Sequence, residues 1–227
     1  MEIIKILKTF LKKTGLYKPS YFTTSPKYWD ERYKRGGNSG AGSYNRLAEF
    51  KAEVINNFVK EKNIFTVIEF GCGDGNQLKY FDIPSYIGYD ISPTVVEHCT
   101  KIFENDKSKT FKVLSNEVKE VDEIIADLVL SLDVIYHLVE DAIYTEYMER
   151  LFHSSRKFVI IYASNYDKQV MVYGKISHVR HRKFTDWIDK NATNFKLIAH
   201  IPNKYPFKES EQEMTSFADF YIFQKQS

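Results

Sequence analysis

The sequence predicts an α/β fold, doubly wound, in which a mostly parallel sheet is covered by helices on both faces. Three observations predict it. Short apolar runs rich in β-forming residues alternate with helix-spaced segments from residue 44 to residue 163. The first of those runs ends in a cluster of glycines. The last two runs have no helix between them, which suits an antiparallel pair at the sheet edge. A chain of 227 residues with 43% hydrophobic and 27% charged residues suits one soluble domain, or one domain plus a cap.

Residues 2–13 place Ile3, Ile4, Leu7, Phe10 and Leu11 at helical spacing, with Lys5, Lys8, Lys12 and Lys13 mostly between them. This is an amphipathic basic helix, either packed on the domain as a cap or presented to a membrane surface or partner. Its lysines are scattered rather than grouped before an apolar stretch, so it does not read as a signal peptide. Residues 20–43 are aromatic and then glycine-rich, running from Tyr28-Trp-Asp-Glu-Arg-Tyr33 to Arg35-Gly-Gly-Asn-Ser-Gly-Ala-Gly-Ser43. The second half is a loop, and a loop ahead of a binding fold is either a lid or a plain linker. Leu47, Phe50, Val54, Ile55 and Phe58 then share one face of a helix over 44–62.

Strands follow at 65–70, 86–90, 111–114, 126–132 and 158–163, with helices over 76–82, 93–104 and 140–153; residues 115–125 carry no clear pattern. The closing pair of strands spans 195–201 and 217–224, and Trp187 reads as a core residue. Residues 1–62 therefore form a helical cap with a glycine-rich loop, and 63–227 the main domain.

The composition limits the function. A net charge of +2 gives no general pull toward nucleic acid, although a local basic patch is compatible with it. Two separated cysteines, Cys72 and Cys99, are no disulfide framework and suit a reducing compartment. No apolar run approaches the roughly 20 residues that span a bilayer. The expected location is the cytoplasm, and oligomeric state stays open.

The first strand leads into Glu69-Phe-Gly71-Cys-Gly73-Asp-Gly75. Glycines there allow a sharp turn and a close ligand approach. Asp90 ends the second strand, where a carboxylate can accept hydrogen bonds from both hydroxyls of an adenosine ribose. A dinucleotide fingerprint would need a last glycine at 76 or 78, which are Asn76 and Leu78.

Glu69 to Gly75 resembles motif I of the class I methyltransferases, which bind S-adenosylmethionine. Asp90 matches the acid that family places after its second strand, and Ala126-Asp-Leu-Val-Leu-Ser-Leu-Asp133 looks like its fourth strand and motif IV. The resemblance implies a Rossmann-like sheet of seven strands with the last one antiparallel. It also implies that Gly71, Gly73 and Gly75 wrap the methionine and ribose portion, that Asp90 holds the ribose, and that Ile91 lies against the adenine. Asn116 is the choice for the adenine amino group, although Ser115-Asn116-Glu117 departs from the family's acid-plus-small pair. Backbone near Ser131 and Leu132 would meet the methionine amino group.

Methyl transfer to a hydroxyl needs a base. His137, just past motif IV, is the candidate, and Asp133 four residues earlier would orient it if the turn is helical. The bland alternative is a histidine that fills or caps the next helix. The same pair lacks an evident third ligand, so no metal is expected. Arg180, His181 and Arg182 suit an anionic acceptor, because arginine forks match phosphate or carboxylate oxygens in pairs; a solvated loop is the alternative. Arg46, with Arg32 and Arg35, could join that site. Tyr28 and Tyr136 complete the expected acceptor contacts, while Tyr28, Trp29, Tyr33 and Tyr44 either wall the site or pin the cap.

Residues 28–54 resemble methyltransferases of bacterial capsule and surface-polysaccharide clusters. That implies a small anionic acceptor, a phosphoramidate or a phosphorylated or nucleotide-linked sugar, with a sugar hydroxyl of a glycan as the rival. A dinucleotide oxidoreductase, a silent S-adenosylmethionine-binding protein and a nucleic-acid methyltransferase are the other classes. The near-neutral charge and Leu132-Asp133-Val134-Ile135, where an Asn/Asp-Pro-Pro-Tyr/Phe motif would stand, argue against the last.

Overall fold

The computed structural model describes residues 22–114, 125–172 and 175–226. The basic segment at 2–13 lies outside them, as does Asn116. Helix α1 (Ser25–Lys34) opens the described chain. Thr24 caps it by accepting from the Lys27 amide, and Pro26 sits in its first turn. Next come α2 (Asn45–Glu61), β1 (Thr66–Phe70), β2 (Ser85–Asp90), α3 (Pro93–Ile102), β3 (Lys109–Val113) and β4 (Ala126–Leu132). The chain continues through α4 (Asp141–His153), β5 (Ser155–Ala163), β6 (Lys168–Val172), β7 (Lys175–His181), α5 (Phe184–Asn191), β8 (Phe195–Ile201) and β9 (Asp219–Lys225).

Seven strands form one sheet in the order β3-β2-β1-β4-β5-β9-β8. The first five are parallel, and β9 runs antiparallel between β5 and β8. The expected doubly wound, mostly parallel sheet with an antiparallel last strand is therefore the observed one. The strand order reverses between β1 and β4, which opens a crevice at their carboxyl ends.

Alternation along the strands builds a core on each face. Val67, Leu128, Leu130, Ile160 and Phe220 meet Ile55 and Phe58 of α2. Ile68, Val129, Val159, Ile161 and Phe223 meet Met148, Leu151 and Phe152 of α4, with Phe184 and Ile188 of α5. Trp187 packs against this second cluster, as a core reading expects. Every residue of β4 is buried, which is why its sequence is a continuous apolar run rather than an alternating one.

Helices α1 and α5 are absent from the sequence reading, and two further stretches differ from it. The helix expected over 76–82 is only a 3-10 turn at Gln77–Tyr80. Asn76 and Gln77 instead donate from their side chains to the backbone oxygens of Ser43 and Ala48, and Pro84 soon follows. Residues 168–181, to which no strand is assigned above, form a separate two-stranded hairpin of β6 and β7.

That hairpin corrects the expected anion site. Arg182 is buried, donates from Nη1 to the Leu138 oxygen, and donates from Nη2 to the Val139 oxygen at 2.7 Å. It also pairs with Asp141 at 3.0 Å and lies 4.5 Å over the Tyr144 ring. Arg180 bonds the Val139 oxygen and Asp141. His181 is buried against Ser164 Oγ at 2.6 Å. The two arginines bind the loop between β4 and α4 instead of facing an acceptor, because its backbone oxygens and Asp141 satisfy the guanidinium forks, and His181 is held at the end of β5.

Arg182→Ala is expected to cost about 1–2 kcal/mol of stability, measured by urea unfolding, because it leaves the Leu138 carbonyl without its partner and removes a buried guanidinium from the Tyr144 ring, while Arg180 still reaches the Val139 oxygen and Asp141. Arg182→Lys is expected to recover only part of this, since one ammonium cannot span the same acceptors. A loss below about 0.5 kcal/mol for Arg182→Ala would contradict the clamp.

Candidate active site

A cleft of about 1070 Å³, part of it open to solvent, runs along the carboxyl ends of β1, β2 and β4. Its floor is the glycine loop. Gly71 and Gly73 have φ of +85° and +58°, which L side chains rarely adopt. A Cβ on Gly71 would stand 2.5 Å from Val134, and one on Gly73 would stand 2.3 Å from Ser39 Oγ, so the loop cannot carry side chains there. Gly75 does not line the cleft; it lies against Phe103 and Cys99 of the α3 end.

Asp90 closes the floor. Its carboxylate is buried, and it accepts from the Gly73 amide at 3.1 Å and the Ser92 amide at 3.0 Å. Burial pushes its pKa up to about 6 against the pull of those amides. Glu69 is buried as well, accepts from the Tyr86 hydroxyl at 2.6 Å, and is pushed up to about 7 by burial. Ile91 and Leu132 line the cleft as expected. Ser131 does not: its Oγ accepts from the Tyr147 hydroxyl at 2.8 Å, buried beneath the strand end. Asn116 lies outside the described residues; Leu114, at the end of β3, lines the wall on that side.

Residues 25–44 form a strap across the cleft. Its first residue, Ser25, donates to both oxygens of Glu140, from its amide at 3.0 Å and its hydroxyl at 2.7 Å. Asp30 accepts from Ser92 Oγ at 2.9 Å. At the far end Asp74 of the glycine loop accepts from the Ser39 amide and the Tyr44 hydroxyl, each at 2.8 Å, and its own amide donates to Ser39 Oγ. The aromatics divide between the two expected roles. Trp29 and Tyr33 wall the cleft. Tyr44 pins the strap, and so does Tyr28, which stacks 4.3 Å from the His178 ring.

His137 lines the cleft just past β4. Its Nδ1 lies 3.1 Å from the backbone oxygen of His178. A carbonyl only accepts, so Nδ1 carries the proton and Nε2 keeps the lone pair. Burial, with His178 beside it, lowers its pKa to about 3, so the ring is neutral at physiological pH. Trp29 stands edge-on at 4.7 Å, and His178 lies nearly parallel at 5.3 Å.

Asp133 does not orient this ring. It sits at φ +61°, and the residues after it form a 3-10 turn, so the spacing of an α-helical pair is lost. Its carboxylate accepts from Lys51 Nζ at 2.7 Å and from the Tyr136 hydroxyl at 2.7 Å. Tyr136 is thus a buried support of Asp133 rather than a wall of the cleft. Lys51 lines the cleft yet is only 1% exposed, with its ammonium 5.2 Å from the Tyr162 ring. The sequence reading missed it, although its place is visible: it lies four residues after Leu47 and four before Ile55, inside the apolar stripe. Arg46 is also removed from the acceptor. It donates to the Met214 oxygen at 2.6 Å and lies 4.4 Å over Tyr205, tying α2 to the loop before β9.

The residues present fit a nucleoside bearing an amino-acid tail. Asp90 keeps acceptor capacity toward the cleft after its amide bonds. Gln77 lines the cleft, is buried, and its Oε1 has no partner, which leaves an acceptor for an ammonium group. The glycine loop admits a ligand where any Cβ would stand.

Comparison with known proteins agrees with this geometry. A search of curated protein sequences gives no match. Among solved structures, the methyltransferase domain of a bacterial Hen1 aligns with 80% of this chain and 100% of its own, at 18% identity and TM-score 0.58. The small RNA methyltransferase HEN1 aligns with 82% of this chain at 19% identity and TM-score 0.58, but only 26% of HEN1 is covered. Magnesium protoporphyrin IX methyltransferase from Synechocystis, solved with bound S-adenosylmethionine, aligns with 98% of this chain and 96% of its own, at 12% identity and TM-score 0.56. At these identities the likenesses show the fold alone. A family model described as a methyltransferase domain matches residues 61–219, more than half of the chain. The chain belongs to the methyltransferase-domain family.

Proposed function

We propose that this chain is an S-adenosylmethionine-dependent methyltransferase that methylates a hydroxyl of a small acceptor, with His137 taking the hydroxyl proton. The single observation that carries the acceptor chemistry is the tautomer of His137. The ring is neutral, its Nδ1 proton is spent on the His178 oxygen, and it borders the cleft where β4 ends. The remaining lone pair on Nε2 can accept the hydroxyl hydrogen, and a base of pKa about 3 takes that proton only as the carbon–oxygen bond forms and the hydroxyl becomes strongly acidic.

S-adenosylmethionine, when bound, supplies a methyl group already activated by its sulfonium. The chain's own residues do the rest. Asp90 accepts the ribose hydroxyls, Ile91 and Leu114 contact the base, and Gln77 Oε1 with the Leu132 backbone receives the methionine ammonium. Trp29 and Tyr33 of the strap keep water from the cleft, which strengthens every polar contact inside it. His137 orients the acceptor hydroxyl and removes its proton as the carbon–oxygen bond forms.

A hydroxyl acceptor is favoured over the anionic one. Arg46, Arg180 and Arg182 are occupied elsewhere, and the cations bordering the cleft, Lys51 and Arg150, are ion-paired with Asp133 and Glu146. A sugar hydroxyl on a surface-polysaccharide precursor agrees with the resemblance at 28–54, and a phosphoramidate is the weaker choice. A cleft covered by the strap also suits a small acceptor better than RNA. A silent binder would have no use for a tautomer-fixed histidine at this position.

Methyl-labelled cofactor offered with a panel of nucleotide sugars, glycans, phosphorylated sugars and small RNA is expected to label a sugar oxygen. Label appearing only on RNA or on nitrogen would overturn the reading. His137→Ala is expected to lower kcat by about 10²–10⁴-fold while cofactor affinity stays within a few-fold; turnover within a few-fold of wild type would make His137 structural.

Cofactor affinity is expected to depend on pH with a definite sign. Ribose hydroxyls donate to the ionised Asp90, whose free pKa is about 6. Affinity should be level well above pH 6 and fall below it, approaching about tenfold per pH unit. An affinity flat between pH 8 and pH 5 by calorimetry would contradict the assignment of Asp90.

A further inference from the structure

Lys51 is a charged residue at a position where α2 is otherwise apolar. It stands between Leu47 and Ile55 on the stripe that packs on the sheet, and it is buried, yet it lines the cleft. A buried ammonium is costly unless it is paired. Asp133 Oδ2 at 2.7 Å supplies one partner, and the Tyr162 ring lies 5.2 Å away. An ammonium has three donors. Among the described residues Asp133 is the hydrogen-bond partner of Nζ, which leaves donors to spare at the cleft wall.

The same wall holds the complementary group. Gln77 is buried, lines the cleft, and its Oε1 accepts from nothing among the described residues. Its Nε2 donates to the Ala48 oxygen of α2 at 2.8 Å. Ala48 and Lys51 are three residues apart, the spacing of neighbours on one helix face. The Ala48 bond therefore holds the Gln77 amide within a turn of the Lys51 ammonium. A spare buried acceptor and a spare buried cationic donor, side by side, match one kind of group. An α-amino acid carries its ammonium and its carboxylate on the same carbon. The charges agree. Lys51 and Asp133 cancel, so the pair does not draw a free anion out of water. A zwitterion is also neutral, and it can lay its carboxylate against Lys51 without leaving a charge unpaired.

We propose that Lys51 and Gln77 form a bracket for the amino-acid tail of the ligand, with Lys51 Nζ donating to its carboxylate and Gln77 Oε1 accepting from its ammonium. The bracket rests on the reading of the ligand as S-adenosylmethionine or its demethylated product. It makes the tail, and not only the ribose at Asp90, a condition of tight binding. Nucleosides that lack the tail fill the base end of the cleft alone and are selected against. Lys51 is thus a specificity residue for the cofactor and leaves the acceptor hydroxyl to His137.

The test is calorimetric and needs no acceptor. It compares S-adenosylhomocysteine with its decarboxylated analogue, which keeps the amine, and with 5′-methylthioadenosine, which has no amino-acid tail. Wild type is expected to bind S-adenosylhomocysteine at least about tenfold more tightly than the decarboxylated analogue, because a charge-assisted hydrogen bond is lost. It is expected to bind 5′-methylthioadenosine more weakly still. Lys51→Met with Asp133→Asn removes both charges and leaves no carboxylate unpaired. In that variant S-adenosylhomocysteine and the decarboxylated analogue are expected to bind within about threefold of each other. Gln77→Leu, which touches no charge, is expected to weaken both of these ligands and to leave 5′-methylthioadenosine within about twofold of wild type. Equal wild-type affinity for S-adenosylhomocysteine and the decarboxylated analogue would overturn the bracket and leave the methyltransferase reading standing. So would a double variant that keeps the tenfold preference, or a Gln77→Leu loss shared by 5′-methylthioadenosine. A wild type that binds none of the three ligands would overturn both.

Discussion

The buried carboxylate of Asp90 is the constraint on which the cleft depends. It ends β2, yet it binds the amide of Gly73 in the loop after β1, so two neighbouring strand ends are tied into one surface. A carboxylate out of water is costly unless hydrogen-bonded. The backbone amides of Gly73, Ile91 and Ser92 only partly offset that cost, which is why its pKa stands above the ordinary range. A ligand offering hydroxyl donors at that point would relieve the remaining cost, so on the proposed reading the group that shapes the loop would also select what it binds.

The other side of the cleft is made by elements that fold down on it. The strap is held at Glu140, Ser92 and Asp74, three points spread over separate loops of the domain. The hairpin reaches the same region from the C-terminal half. Between them lies His137, with Trp29 of the strap at its edge and His178 of the hairpin alongside. Its burial, and hence its neutrality, is a joint product of both elements. The Arg182 clamp holds the loop just after His137, so ring and backbone are fixed by one hairpin through two different bonds.

The fold was legible because its strands are apolar runs with the period and length that a sheet requires, and β4 is legible as a strand buried on both faces. The glycine loop and Asp90 were legible because their chemistry is local: a turn, and a carboxylate one strand away. Partnerships made in three dimensions were not. Arg180 and Arg182 look in sequence like an anion site, and only the fold brings the Leu138 and Val139 oxygens and Asp141 to them. Asp133 and His137 have the spacing of a helical pair, but a left-handed φ at Asp133 hands its carboxylate to Lys51 and Tyr136 instead. Helix α1 escaped notice because it lies across the cleft with only Ser25 and Tyr33 buried, and so shows no continuous apolar stripe.

The most direct measurement is isothermal titration of S-adenosylhomocysteine into wild type and Asp90→Asn. The asparagine keeps the shape and removes the charge that the ribose hydroxyls meet. The account predicts a clear 1:1 binding curve for wild type and a loss of about a hundredfold in affinity for the variant, with the thermal unfolding of both proteins remaining cooperative. Equal affinity for the two proteins, or no binding by wild type, would contradict it.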